Sequence, residues 1–139
     1  RVTESVFLIE NQIVLCGMKN RWRPMALDDN GKLRIMPLSL SKFQPEDIFG
    51  KLTQTNHGCH LHIAEMENGS KIFLDSRGML HFKSADATVP EVSIVLAEGE
   101  VAGWSSDGLV CGPQFFFEGP VNSDSKGVFE RLRNFFSNL

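Results

Sequence analysis

Lys71-Ile72-Phe73-Leu74-Asp75-Ser76-Arg77-Gly78-Met79-Leu80-His81-Phe82 carries most of the fold information in this chain. An apolar run leads into Asp-Ser-Arg-Gly, and a second apolar run leads out. Such a pattern marks a β-hairpin, because the favoured two-residue turns need positive φ at both central residues and Gly supplies it without a steric cost. The same form recurs at Asp29-Asn30-Gly31, Glu67-Asn68-Gly69, Glu98-Gly99 and Ser106-Asp107-Gly108. Working outward, the apolar segments between these turns predict strands over Ser5–Glu10, Gln12–Gly17, Arg23–Asp28, Leu33–Leu38, Cys59–Met66, Lys71–Asp75, Met79–Lys83, Glu91–Ala97, Glu100–Trp104 and Gln114–Glu118. In the Cys59–Met66 segment, Leu61 and Ile63 alternate with His60 and His62.

Two segments read as helix. Pro45-Glu46-Asp47-Ile48-Phe49 has Pro at a first helical position with acids behind it. The longer one lies at about 123–138, where Asn122, Ser123 and Asp124 offer caps. There Val128, Phe129, Leu132, Phe135, Phe136 and Leu139 form one apolar stripe, opposite Glu130, Arg131, Arg133 and Asn134. The expectation is a mainly β, antiparallel meander in one domain spanning 1–139, with this amphipathic helix docked on it. Two arrangements fit: propeller-like blades, or a compact β-barrel or sandwich of pleckstrin-homology-like design. Met25-Ala26, Ile63-Ala64 and Val101-Ala102 recur at a spacing of 38, near the roughly 40 residues of a four-stranded propeller blade.

The chain has 139 residues, 42% hydrophobic and 22% charged, with a net charge of -3. That balance excludes a disordered tail and a strongly basic nucleic-acid binder. No apolar run reaches the length of a membrane span, about 18 residues. Three cysteines, Cys16, Cys59 and Cys111, contain no C-x-x-C pair and fit reduced thiols in a cytoplasmic protein. Eleven Phe, two Trp and no Tyr make the aromatic content almost wholly apolar. Phe115, Phe116 and Phe117 in the last expected strand, with Phe129, Phe135 and Phe136 on the helix, are expected to form the seam between them.

Residues that point to chemistry are few. His60 and His62 project from one face of a strand, with Glu67 nearby, and this spacing suits a divalent metal. The string is similar to the first half of a cupin metal motif, which makes a metal-dependent cupin-like enzyme the alternative reading. No His follows His81, which is then the one substitute for that family's second motif. Gly103-Trp104-Ser105-Ser106-Asp107-Gly108 misplaces the last Gly of a nucleophile elbow and has no His downstream. Cys111 with His81 offers no group that lowers the thiol pKa. Phosphate-cradling glycine motifs are absent from the sequence. Arg21-Trp22-Arg23 is the best candidate for partner contact, since Trp and Arg dominate interface hot spots; Trp104 joins it.

The stretch from Cys59 to Gly119 resembles β-propeller-type sequence, through Lys71–Phe82 and Glu100-Val101-Ala102-Gly103-Trp104-Ser105-Ser106-Asp107-Gly108. More narrowly, it resembles the β-propeller proteins that accompany bacterial MoxR ATPases and von Willebrand A domains. The resemblance implies a non-catalytic interaction partner and carries over no catalytic residue. The function expected is a non-enzymatic protein-interaction or scaffold module in the bacterial cytoplasm, without a cofactor. Its partner is a protein or a second copy of the chain, with no part for nucleic acid or membrane.

Overall fold

A computed structural model describes residues 5–9, 12–17, 21–36, 58–60, 63–97 and 99–139. In chain order the elements are β1 (Ser5–Ile9), β2 (Gln12–Gly17), β3 (Arg21–Leu27), β4 (Leu33–Ile35), β5 (Gly58–His60), β6 (Ile63–Glu65), β7 (Lys71–Leu74), β8 (Met79–Lys83), β9 (Val92–Ala97), β10 (Glu100–Ser105), β11 (Val110–Cys111) and a helix, α1 (Ser125–Ser137). They form two antiparallel sheets. One holds five strands in the order β4-β3-β2-β1-β5; the other holds six, β11-β10-β9-β8-β7-β6, each paired with its neighbour in the chain. The mainly β meander with a C-terminal helix is therefore as expected. The sheets have five and six strands where a propeller blade has about four.

Four turns, at 28–32, 66–70, 75–79 and 105–109, share one hydrogen-bond pattern. In each, the Gly N–H donates to the carbonyl three residues back, and the first residue's N–H donates to the carbonyl four residues on: Gly78 to Asp75 O at 3.1 Å, and Asp75 to Met79 O at 2.9 Å. That is a three-residue turn closed by a bulge Gly, in place of the expected two-residue turn. Only the Gly then needs positive φ, which lies at 75°, 90°, 83° and 101° for Gly31, Gly69, Gly78 and Gly108. The wider turn leaves room for a carboxylate to cap it: Asp75 Oδ1 accepts from Arg77 N–H at 2.8 Å and Met79 N–H at 3.0 Å, and Asp28 Oδ1 does the same for Asn30 and Lys32 at 2.9 Å each. The spacing of 38 falls on β3, β6 and β10, each running into one of these turns. The same turn also occurs at 75–79, off that spacing, so the repeat is one of turns.

One core draws on both sheets and the helix. Val6, Ile13, Met25 and Leu33 come from the first sheet; Ile72, Leu80, Phe82, Val92, Ile94, Val101 and Cys111 from the second; Val128, Phe129, Leu132, Phe135 and Phe136 from α1. Strand alternation explains the second set, since Leu80 and Phe82 on β8 are buried while Met79, His81 and Lys83 face outward. The helix lies against β3 and β4 on one side and β8 to β11 on the other. Asp124 caps it, its side chain accepting from Gly127 N–H at 2.8 Å, and Asp124 N–H donates to Val110 O at 2.7 Å. Arg131 adds a fork onto Asp107 through Nε at 2.9 Å and a second guanidinium nitrogen at 2.8 Å. Across the two sheets, Lys32 meets Glu100 at 3.3 Å; the lysine is exposed, and such a pair adds little stability.

Three expectations are corrected. Gln114–Glu118 is not a strand: Gln114–Phe116 is one 3-10 turn. Aromatic β-formers lose there to local chemistry, because Pro113 sets the entry at φ -65° and the Gln114 carboxamide binds Gly119 O and Val121 N–H. The Phe seam moves accordingly. Phe115 is exposed and Phe116 and Phe117 are half-buried, while Phe82 on β8 packs edge-on against Phe135 at 5.6 Å and lies 6.1 Å from Phe136. The Cys59–Met66 segment divides into β5 and β6, which belong to different sheets. The expected helix at 45–49 lies outside the described residues.

Candidate functional site

The outward face of the six-stranded sheet carries a cross-strand row. Phe73 pairs with His81, His81 with Ser93, Ser93 with Trp104, and Trp104 with Val110. Each sits one residue out of phase with the buried Ile72, Phe82, Val92 and Ile94, so the pleat turns it away from the core. Phe73, His81 and Trp104 are half-buried, and the small Ser93 between two rings is buried. The His81 ring stacks on Phe73 with centroids 4.8 Å apart and an interplanar angle of 22°.

His81 is held at both nitrogens. Nε2 lies 2.8 Å from Asp75 Oδ2 and Nδ1 lies 2.9 Å from Ser93 Oγ. The bond from His81, followed by that from Met79 N–H, keeps the Asp75 carboxyl far below the usual carboxylate range. An ionised carboxylate only accepts, so Nε2 carries the hydrogen, and in the neutral ring Nδ1 accepts from the Ser93 hydroxyl. This is a serine–imidazole–carboxylate chain, but its serine is only 5% exposed. The chain locks the ring orientation on the sheet face and presents no nucleophile to solvent.

A pH dependence follows from Asp75. Its folded pKa is depressed, so the stability it adds is present above the unfolded value and is lost as pH falls toward the folded one. Asp75→Asn is therefore expected to lower the thermal midpoint near neutral pH, and the gap from the wild type should narrow as pH drops below about 4. Thermal melts at a series of pH values check this. A gap that stays constant into acid would show that the carboxylate charge plays no part.

The residues singled out by sequence are scattered. Trp104 is in the outward row. The backbone of Arg21, Trp22 and Arg23 opens β3 opposite Gly17, Cys16 and Leu15, on the other sheet; their side chains lie outside the described set. His60 ends β5, its side chain also outside that set, and His62 lies outside the described residues altogether. Glu67 is exposed in the β6–β7 turn. Among the described residues no three His, Cys, Asp or Glu side chains are grouped to hold a metal. Ser105, the serine of the elbow-like segment, is buried; its hydroxyl bonds to Asp107 Oδ1 and accepts from Leu109 N–H. Burial pushes the Cys111 thiol up to about 11, so it stays protonated and acts as a small core residue.

Sequence reasoning missed the Asp75–His81–Ser93 chain. Its members are six and twelve residues apart, and only the β8–β9 register brings His81 beside Ser93. Among the described residues no helix is long and apolar enough to cross a membrane.

Comparison with known proteins adds one finding. Residues 61–137 match the family model described as MoxR-vWA-beta-propeller ternary system domain bpX1. The matched stretch contains β6 to β11 and α1, and so the outward row with Trp104; Arg21, Trp22 and Arg23 fall before it. Neither the curated proteins nor the solved structures give a match. Because the matched residues make up more than half of its length, the chain belongs to the family of MoxR-vWA-beta-propeller ternary system domains called bpX1.

Proposed function

We propose that the chain is a non-enzymatic interaction or scaffold module of such a ternary system, engaging its MoxR and von Willebrand A components as protein partners. The observation that carries this reading is the family match over residues 61–137. The stacked Phe73 and the doubly bonded His81 of the outward row support it, because rings held in one orientation lose little freedom when a partner covers them. In this reading Trp104 contributes from that row and Arg21, Trp22 and Arg23 from β3. No cofactor is required in this reading, and the module works in the bacterial cytoplasm.

The test is co-purification and affinity measurement of the full chain with MoxR ATPase and von Willebrand A proteins from the same organism. Trp22→Ala is expected to weaken the complex by about tenfold, the loss typical of an interface aromatic, with the melting temperature unchanged. A large fall in melting temperature would make Trp22 a core residue. Absence of any complex with the wild-type chain would overturn the reading.

A further inference from the structure

Phe115 is 64% exposed, the most exposed large apolar side chain among the described residues. The segment that carries it is tied at several points. Phe116 N–H donates to Pro113 O at 3.2 Å and Phe117 N–H to Gln114 O at 3.0 Å. The Gln114 carboxamide spans the loop, with Nε2 donating to Gly119 O and Oε1 accepting from Val121 N–H at 3.3 Å. Gly112 N–H donates to Ser123 Oγ at 3.1 Å, which fixes the base of the loop beside β11. Phe115 stacks on Phe116 with centroids 4.7 Å apart and an angle of 26°. These bonds hold an apolar ring in water, where a freely moving loop would fold it back against the protein.

The loop that carries the ring has charges of one sign along its sequence. Between residues 112 and 125 the sequence has Glu118 and Asp124 and no Lys or Arg, and both acids are exposed. Asp124 is committed to the cap of α1, which leaves the exposed Glu118, three residues after Phe115 in the same loop, to face a partner. A preordered ring with an acidic neighbour is complementary to an apolar pocket with a basic rim. The geometry points to residues 113–118 as a docking plug, with Phe115 entering an apolar, Lys- or Arg-rimmed pocket on a protein component of the ternary system. This rests on the interaction reading above and names the surface that serves it.

The experiment measures affinity of the full chain for the MoxR ATPase and von Willebrand A proteins of its own system, at two salt concentrations. Phe115→Ser is expected to weaken binding by about tenfold or more, the effect of losing a central anchor, with the thermal midpoint unchanged. Glu118→Lys should weaken it less and flatten its salt dependence. Leu74→Ser, at another exposed apolar position, should leave affinity unchanged. If the wild type binds and both loop variants bind equally well, the interaction reading stands and the plug is overturned. If the wild type binds neither protein, the interaction reading falls and the plug falls with it. Phe115-dependent binding to phosphatidylserine vesicles, with protein binding unaffected by Phe115→Ser, would overturn the plug in favour of a lipid surface.

Discussion

Truncating Phe82 to alanine is expected to lower the unfolding free energy by about 3–5 kcal/mol, the range for a large aromatic deleted from a core. Phe82 is fully buried and its ring meets Phe135 and Phe136. Those two also touch each other edge-on at 5.4 Å, so the three rings make one cluster between β8 and α1. Aromatic pairs of this geometry add to what burial alone contributes. The helix is held by a short run of side chains, and removing the facing ring leaves a cavity that α1 can close only by shifting as a body. Urea unfolding of Phe82→Ala and Phe82→Leu measures the effect, and the leucine variant should retain much of the loss. A fall below about 1.5 kcal/mol for Phe82→Ala would mean the cluster is not where the helix is held.

The second large effect is expected at Gly112. Its backbone sits at φ 126°, and an added Cβ would lie 2.8 Å from both Cα and Cβ of Ala102 and 3.0 Å from Val101 O. Conformational strain and collision with a neighbouring strand act together, and backbone cannot swing aside as the end of a side chain can. Gly112→Ala should therefore cost about 2–4 kcal/mol. Gly78→Ala separates the two contributions: its φ is 83° with nothing within 4 Å of the added atom, so only the strain remains, about 1 kcal/mol. Equal losses for the two variants in urea unfolding would show that the collision at Gly112 is relieved at no cost.

Much of the fold was legible because most of its signals are local. Gln12–Gly17 and Met79–Lys83 were read to the residue, since an apolar run bounded by turn residues needs nothing from elsewhere in the chain. The α1 stripe was equally plain from Val128 to Phe136, whereas Leu139 lies beyond the helix and is exposed. Val110–Cys111 was missed because two residues give no periodicity. Gln114–Phe116 was misread because its ring-rich composition favours strand, while a proline and one glutamine side chain decide otherwise. The division between β5 and β6 could not be read locally, because β5 pairs with β1, far back in the chain, whereas β6 pairs with its neighbour β7. The candidate site shows the same limit. Trp104 could be named from its type, whereas its company of Phe73, His81 and Ser93 exists only through cross-strand register. The exposure of Phe115 could not be read from a sequence that places three Phe in a row.

The division of labour between the six-stranded sheet and the helix also bears on how the molecule acquires its structure. Every pairing in that sheet joins neighbours along the chain, so its contacts close short loops, and loops of that kind form quickly. The helix is different. It follows both sheets in the chain yet must reach back to β3 and β4, across a longer stretch of chain than any strand pairing among the described residues. Its side chains share one core with Ile94, Val101 and Phe82 of that sheet. Without the helix the sheet would keep its own strand pairings but bare that apolar face, so α1 is what keeps the face out of water.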